Sequence, residues 1–328
     1  MKTKITDVRN LRNIVLMLVI MMVTGGLNAQ QAPMFTNYSK SYAAVNPGFY
    51  GLSDGVSVNS IYRDQYTGFN DWSTGERVSP RTFLISADLP IPAIAGGVGL
   101  SVVKDKVGSV QEDNVGVNLG YSYHLDLGSG TLGIGLAMNL TNRTVDFSLA
   151  NPLEEGDPSI PNSKQTDMLF DGNFGLFYMI PDQFYAAVSV TNLLETKGKV
   201  LAADATSSAS FVGDRTLYFV AGYEFHFTNS YFMLNPEMCL MSDIANTQFN
   251  IGAKLWYNEK FYFGTNYRFQ ESVAVMAGLN IKGFVLSYAY DINTMALGLK
   301  GSHEISLSYC FKLNLEKSPR IYSNVRYL

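Results

Sequence analysis

Few side chains in this 328-residue chain could carry out chemistry, and they are scattered along it. The three histidines are His124, His226 and His303, and none has another histidine or a cysteine at the spacing of a metal site. His303 precedes Glu304, but the second histidine of a zinc-protease helix is missing and the surrounding pattern is that of a strand. Residues 51–55 have the spacing Gly-x-Ser-x-Gly, but they lead into the strand pattern that begins near Val56 and not into a helix, so they do not form a nucleophile elbow. We therefore predict a protein that is not an enzyme and holds no cofactor or metal ion.

A second group of charged residues lies at the C-terminus. Lys317, Arg320 and Arg326 are accompanied by a single glutamate within residues 316–328, and Pro319 discourages a further strand there. The three basic residues predict a periplasmic tail that contacts an acidic partner protein. A disordered end without a partner is the alternative, because chain termini are commonly disordered.

The elements that must position these residues are indicated by a repeat of two. Within residues 249–257 large apolar side chains alternate with small or polar ones, and residues 261–270 repeat this arrangement. A period of two places successive side chains on opposite faces of a sheet. In a soluble sandwich the apolar faces would pack together inside, whereas in an outer-membrane barrel they face lipid and the polar faces line the lumen.

Similar stretches with turn residues between them predict about fourteen strands along the chain. They begin near Val56, Pro80, Ala95, Asn114, Gly130, Met168, Phe184, Asp214, Tyr231, Asn246, Lys260, Ser272, Gly283 and His303. The even-numbered connections are mostly short and the odd-numbered ones include the long segments, which is the arrangement of periplasmic turns and external loops. We predict an all-β fold, a transmembrane antiparallel β-barrel of about 14 strands over residues 56–315. A secreted soluble β-protein is the alternative.

The N-terminus indicates the compartment. Basic residues, the apolar run Ile14–Val23 and small residues up to Ala29 are typical of a secretory signal peptide over residues 1–29. The run has about ten residues, too few for the roughly 20 that a membrane-spanning helix needs. Residues 30–55 are rich in small residues and loop signals, and we predict that they form a plug inside the barrel.

The amino-acid composition favours a membrane protein over a soluble one. Charged residues make up 16% of the chain, whereas about a quarter is usual in soluble proteins, so lipid coverage is favoured. The net charge of −4 argues against a nucleic-acid partner. Together with the strand pattern, this predicts a location in the outer membrane.

Five stretches that follow one another along the mature chain carry a family resemblance. Their residues are Asn46, Pro47, Tyr62, Arg63, Gln65, Gly68, Phe69, Asp105, Lys106, Gly108, Asp291, His303 and Glu304. In this order they resemble the PorP/SprF family, outer-membrane proteins of the type IX secretion system. The basic tail after Leu315 departs from the family pattern.

The resemblance implies a secretion-accessory role. Its implied partners are the periplasmic ring and motor proteins of the system, an OmpA-like peptidoglycan-binding protein, and an exported surface adhesin or other cargo, in some members for gliding motility. The long connections that start at Asp146 and Asn192 are the predicted contacts for cargo. A different class of function is kept as the alternative: a barrel that transports hydrophobic small molecules, with residues 30–55 as its plug.

Overall fold

Strands make up most of the computed structural model, which describes residues 33–71, 75–108, 112–149, 163–200, 210–295 and 300–312. The strands are β1 Gly55–Asp64, β2 Arg81–Ile91, β3 Gly96–Val107, β4 Glu112–Leu127, β5 Gly130–Asp146, β6 Lys164–Ile180, β7 Phe184–Thr191, β8 Lys197–Val200, β9 Ser210–Val212, β10 Thr216–Tyr223, β11 Phe225–His226, β12 Phe232–Ser242, β13 Thr247–Tyr257, β14 Phe261–Arg268, β15 Ser272–Ile281, β16 Phe284–Asn293 and β17 Ser302–Lys312. The helical elements are the α-helix α1, Tyr42–Val45, and the 3-10 turns Tyr38–Lys40, Pro47–Phe49, Pro92–Ile94 and Phe147–Leu149. Within these ranges, no helix has the length and apolar character needed to cross a membrane.

Antiparallel pairing closes a barrel of 14 strands. Each barrel strand pairs with the next one along the chain, β1 pairs with β17, and β10 pairs with both β7 and β12 across the remaining gap. β8 and β9 form a separate hairpin in the connection between β7 and β10, and β11 adds two residue pairs to β12. The predicted barrel is thereby confirmed, and each predicted strand start lies within about four residues of the observed one.

The two faces of the wall differ as the period of two requires. Residues such as Leu136, Phe263 and Leu286 are half exposed or more and point away from the barrel. Their neighbours Ala137, Tyr262 and Ser287 are buried and point into it. Because long connections lie at the end where β1 finishes and tight turns at the other, we call the former the external end and the latter the periplasmic end.

Pro236 illustrates how the sheet accommodates a residue that cannot donate to its ladder. The sequence predicts a bulge or a strand break there, yet β12 continues through it, and Pro236 lies opposite Ala253 of β13. On the other side of β12, the pairing with β10 ends at Glu237, and the pairing with β11 resumes at Leu234. The break therefore falls in the partner strand, where the missing N–H leaves no acceptor unpaired.

Residues 33–54, which we call the luminal segment, lie inside the barrel. Their side chains and backbone make hydrogen bonds to strands all around the wall, from β2 and β4 to β13, β14 and β17. A segment can reach strands on opposite sides of a closed barrel only from within it. The plug-like segment expected from the sequence is therefore present, and it runs from the external end down to the periplasmic start of β1.

Candidate functional site

The luminal segment is held by a charged cluster on the inner wall near the external end. In β1 the period of two turns Tyr62 outward, where it is 43% exposed, and Arg63 inward, where it is 2% exposed. Arg63 lies directly opposite Glu304 of β17, and Asp291 reaches it from β16. Three neighbouring strands thus deliver one cation and two anions to the same point of the lumen.

Arg63 bridges the two acids through separate nitrogens. Its Nη2 lies 2.6 Å from Asp291 Oδ2, and its Nη1 lies 3.2 Å from Glu304 Oε2. Arg268 on β14 extends the cluster, with Nη1 2.7 Å from Glu271 Oε1 and 3.7 Å from Asp291 Oδ2. Buried charges are tolerated only when they are paired and hydrogen-bonded. The near balance of charge here meets that condition.

The cluster also forms hydrogen bonds with the luminal segment. Glu304 accepts the N–H of Thr36 at 2.7 Å and the N–H of Asn37 at 2.8 Å, one on each carboxylate oxygen. The Thr36 hydroxyl accepts from Arg63 and donates to Asp291, both at 2.6 Å. Hydrogen bonds to charged groups are stronger than neutral ones. This set therefore fixes the register of the segment against the wall.

The next residue adds neutral contacts. The Asn37 amide nitrogen donates to Tyr262, Ser287 and Ser306, at 3.2, 3.1 and 3.4 Å. The Asn266 side chain donates to the carbonyl of Thr36 at 3.0 Å. The polar inner rows of β14, β16 and β17 are thus occupied by one short piece of chain.

Further down, the segment fits into a patch of wall that lacks side chains. Asn46 accepts the N–H of Gly48 at 2.8 Å and donates to the carbonyl of Leu176 on β6 at 3.2 Å. A Cβ atom on Gly135 would lie 2.1 Å from the carbonyl carbon of Pro47, and one on Gly175 would lie 2.0 Å from Asn46 Oδ1. Glycine fits both wall positions because the backbone of Pro47 fills the side-chain space of Gly135 and the Asn46 side chain fills that of Gly175.

Glycines also make room for the luminal segment at the periplasmic end. A Cβ on Gly99 would lie 2.1 Å from the Tyr50 ring, and one on Gly97 would lie 2.5 Å from the Cα of Gly51. Gly51 also donates its N–H to Asp88 at 3.0 Å. From sequence, the glycines at the start of β3 read as small residues in a curved strand; their reason is the close approach of the luminal segment.

An aromatic cluster and a second ion pair complete the fit. Tyr42 of α1 packs against Phe49, Phe177 and Tyr185 with ring centroids 5.5 to 5.8 Å apart. Lys254 lies 2.8 Å from Glu237 and donates to Ser39 at 2.7 Å. Apolar and charged contacts therefore alternate along the segment.

Above the charged cluster, the external end opens into a cavity of about 460 Å³, which we call the vestibule. Its wall includes five carboxylates and one guanidinium; they are Asp105, Glu112, Asp171, Asp214, Asp243 and Arg143. Arg143 pairs with Glu112 at 2.7 Å and lies over the Phe211 ring at 5.1 Å, so the β8–β9 hairpin is tied to the rim. Partial burial raises the pKa of Asp214 above its ordinary value, although Arg143 opposes the shift. The vestibule is open and negatively charged.

The structure separates the motif residues into three groups. Asn46 and Pro47 belong to the luminal segment, and Arg63, Asp291 and Glu304 form the cluster that binds it. The others lie at the external rim, as follows: Tyr62 and His303 on the outer face, Gln65, Gly68, Phe69 and Gly108 in connections, Asp105 in the vestibule and Lys106 on the outer face. Lys317, Arg320 and Arg326 of the predicted tail lie outside the described residues.

Thr36, Asn37 and Arg268 belong to the site but were not singled out from the sequence. Arg268 carries a signal, because it falls in the polar row of β14, where a charge must face the lumen. Thr36 and Asn37 carry none, because they lie in a segment without a strand or helix period and the wall residues that bind their backbone and side chains are more than 200 residues further along the chain, apart from Arg63.

Comparisons with known proteins place the chain among membrane proteins of a secretion system. The profile described as "Type IX secretion system membrane protein PorP/SprF" matches residues 27–309. No curated protein matches the chain.

Solved barrels are similar at low identity. The Ralstonia pickettii toluene transporter TbuX is 13% identical with a TM-score of 0.47, over 83% of this chain and 94% of its own. A Pseudomonas aeruginosa FadL homologue is 11% identical with a TM-score of 0.46, over 83% and 94%. The Acinetobacter baumannii outer-membrane protein Omp33 is 9% identical with a TM-score of 0.44, over 80% and 100%.

Proposed function

Because the chain belongs to the PorP/SprF family of type IX secretion system membrane proteins, we propose that this outer-membrane barrel supports the secretion or surface attachment of cargo by binding protein partners at both ends. The family and the fold are those of a secretion-system membrane protein and not of an enzyme class. The observation that carries the proposal is the filled lumen. A barrel occupied by its own chain offers its two ends, rather than its interior, to other molecules.

The filling is tight where a solute would have to pass. Wall residues at three levels are 0% exposed, namely Ser122 towards the periplasmic end, Ser101 in the middle and Asn250 towards the external end, and Tyr50 of the luminal segment is 1% exposed. Moving the segment aside would uncover the charges of Arg63, Asp291 and Glu304, which it now shields and binds. These contacts support a scaffold more than a passage for hydrophobic small molecules.

The external end is the proposed site for exported cargo. The connection from Asn192 to Arg215 holds the β8–β9 hairpin, whose Phe211 packs against Val145 and Leu169 beside the vestibule. A cargo segment with basic side chains complements the carboxylates of that cavity. An exported surface adhesin, including one used in gliding motility, is the kind of partner that the family suggests.

The periplasmic end is the proposed site for the secretion machinery. The basic residues Lys317, Arg320 and Arg326 would contact an acidic surface of a ring or motor protein, or of an OmpA-like peptidoglycan-binding protein. The last strand ends at this end of the barrel, so the tail at residues 316–328 is the segment proposed to reach a partner.

A cross-linked pull-down from gently solubilised outer membranes tests the proposal. Wild-type protein is compared with the variant Lys317→Glu/Arg320→Glu/Arg326→Glu and with the control Lys260→Glu/Lys282→Glu/Lys312→Glu, whose changes lie on exposed residues at the same end. We expect wild type and the control to recover periplasmic secretion proteins and one large exported protein. The tail variant should lose the periplasmic partners alone.

Two results would contradict the proposal at different points. If the tail variant retained the periplasmic partners, the proposed role of the tail would be wrong, whereas the proposed scaffold function would remain. Recovery of the barrel without protein partners, together with flux of a hydrophobic solute into liposomes that contain it, would replace the scaffold with a transporter.

A further inference from the structure

A group of basic side chains lies on the lipid-facing side of the wall at the external end. In β2 the outward row contains Phe83 and Ile85, and Arg81 continues it. In β3 the outward row contains Leu100, and Lys104 and Lys106 continue it. These cations therefore point away from the lumen, on the surface that meets the membrane.

The aromatic residues beside them indicate their depth in the membrane. Lys104 lies opposite Phe83, and Tyr62 lies opposite Phe83 on the other side, so the three share one level of the wall. Arg81 lies opposite Lys106, one step further out. Aromatic girdles of membrane barrels lie at the interface between hydrocarbon and headgroups. The basic residues thus lie at the height of the headgroups of the outer leaflet.

The group has more positive than negative charge. Lys104 and Lys106 share one acid, with Nζ atoms 3.6 and 3.3 Å from Asp113 Oδ2. Arg77, in the connection above β2, pairs with Asp64. Arg81 forms no ion pair within the described ranges, and its Nε is shielded from solvent there without a hydrogen-bond acceptor. Among the described residues, the ion pairs of these four cations involve two acids, Asp64 and Asp113, and neither of them pairs with Arg81.

A small notch lies between these side chains. It has a volume of about 60 Å³, and its lining includes Arg77, Arg81 and Lys106. The N–H of Gly108 donates to the carbonyl of Val78 at 3.3 Å, and Arg77 donates to Ser79 at 2.7 Å, so two connections shape its rim. The cations are therefore arranged around a concave surface.

The described residues of β12 to β15 have no such feature at this level. The outward residues at the external ends of β12 to β15 are uncharged; they are Ser242, Thr247, Phe249, Tyr267 and Val273. A surface that served only solubility would spread its charges around the rim. The concentration on β2 and β3 indicates one localised anionic ligand.

We propose that Arg77, Arg81, Lys104 and Lys106 bind the phosphorylated headgroup of a lipid in the outer leaflet. Phosphate accepts hydrogen bonds from guanidinium and ammonium groups, and arginine matches it with two parallel donors. The ligand is a lipid, rather than a soluble anion or a protein, because Arg81, Lys104 and Lys106 lie on the membrane-facing wall, at the level of the aromatic girdle or one step beyond it. This site is independent of the partner-binding function proposed above.

Binding of a defined lipid to the purified full-length barrel tests this. Delipidated protein in detergent is titrated with diphosphoryl lipid A, and bound lipid is counted by native mass spectrometry. The test variants are Arg81→Glu/Lys106→Glu and the milder Arg81→Gln/Lys106→Gln; the matched control is Lys260→Glu/Lys282→Glu at the periplasmic end. Heat-modifiable migration in gels and circular dichroism verify that each variant is folded.

We expect one lipid to bind wild type and the control, and the charge-reversed variant to bind at least about tenfold more weakly, since its charge-assisted contacts are lost. The neutral variant should fall between them, and dephosphorylated lipid A should not bind at the site. Equal affinity for phosphorylated and dephosphorylated lipid would overturn the proposal, as would unchanged affinity in the folded reversed variant. Displacement of the lipid by inorganic phosphate at similar concentration would overturn the lipid as the ligand.

Discussion

Two groups of charged residues lie at the same height in the barrel but on opposite faces of its wall. Arg63 and Asp64 are consecutive in β1, yet Arg63 enters the luminal cluster and Asp64 pairs with Arg77 on the outer rim. The side chains of Arg63, Asp291 and Glu304 are 1–3% exposed, whereas those of Lys104 and Lys106 on the rim are 50% and 42% exposed. The alternation of one strand thus gives similar residues different environments.

The difference teaches what each group can do. Inside the barrel, each charged side chain of the cluster has a partner of opposite charge. Glu304 also binds the backbone of the luminal segment, so the cluster determines where that segment lies. On the rim, cations outnumber anions and remain accessible, so the group is free to bind something else. Buried charged side chains fix the position of the luminal segment, whereas exposed ones can bind another molecule.

The largest expected effect comes from breaking the inner group. Arg63→Met leaves Asp291 and Glu304 buried without their shared cation. Removing one member of a buried ion pair costs about 3–5 kcal/mol of folding free energy, because the remaining charge loses its compensation. Urea unfolding of the barrel in detergent, followed by tryptophan fluorescence, measures the loss.

The outer group supplies the control for that experiment. Arg77→Met removes a cation from an ion pair whose arginine side chain is 37% exposed. Exposed pairs contribute about 0–1 kcal/mol, so its unfolding midpoint should stay near that of wild type. Equal losses in the two variants would contradict the distinction drawn between the groups.

A second effect comes from the glycine patch that accepts the luminal segment. Gly135→Ala places a Cβ only 2.1 Å from the carbonyl carbon of Pro47. The clash can be relieved only by moving backbone, either that of the wall or that of the luminal segment. Overpacking of this kind costs about 1–3 kcal/mol. Amide hydrogen exchange of residues 36–50 should accelerate while that of the barrel strands changes little.

Gly172 on β6 offers the comparison for the glycine patch. The nearest atom to a Cβ on Gly172 lies 3.9 Å away, an ordinary van der Waals distance. Gly172→Ala should therefore leave the exchange of the luminal segment unchanged. If Gly135→Ala also left it unchanged, the segment would not depend on the glycine patch.

A smaller effect is expected at the polar anchor of the segment. Asn46→Ala removes the acceptor for the N–H of Gly48 and the donor to the carbonyl of Leu176. Loss of such hydrogen bonds costs about 1–2 kcal/mol, measurable as a lower unfolding midpoint. Asn142→Ala, at an exposed position of β5, should change stability by less than about 0.5 kcal/mol. A shift as large as that of Asn46→Ala would count against the anchor.

The sequence predicted the wall far better than the contents of the lumen. The wall follows a period of two. The residues of β13 and β14 alone therefore indicate that these segments are strands, which side chains lie on each face, and that the apolar face meets lipid. Family resemblance added Arg63, Asp291 and Glu304, which are widely separated along the chain but adjacent in the barrel. Pattern reasoning cannot predict this meeting, because it depends on the closure of β1 against β17.

The luminal segment shows why the rest could not be predicted. Its residues follow neither a strand nor a helix period, and both its backbone and its side chains contact distant strands, some of them at glycines that leave room for it. Thr36 and Glu304 are 268 residues apart in sequence, and nothing local to either indicates the other. Gly135 is informative only once Pro47 is known to lie against it.

The smallest effect sharpens the comparison at the rim. In detergent without phosphorylated lipid, Arg81→Gln/Lys106→Gln should change the unfolding free energy by less than about 1 kcal/mol, because exposed charges contribute little to stability. The same chemical change inside the barrel, Arg268→Gln, should cost several times more, since Arg268 is 3% exposed and compensates Glu271 and Asp291. Unfolding curves of both variants, with and without diphosphoryl lipid A, should show that added lipid stabilises Arg268→Gln as it does wild type and leaves the rim variant unaffected. A rim variant that unfolds early without lipid would mean that those cations, like the inner ones, hold the wall together.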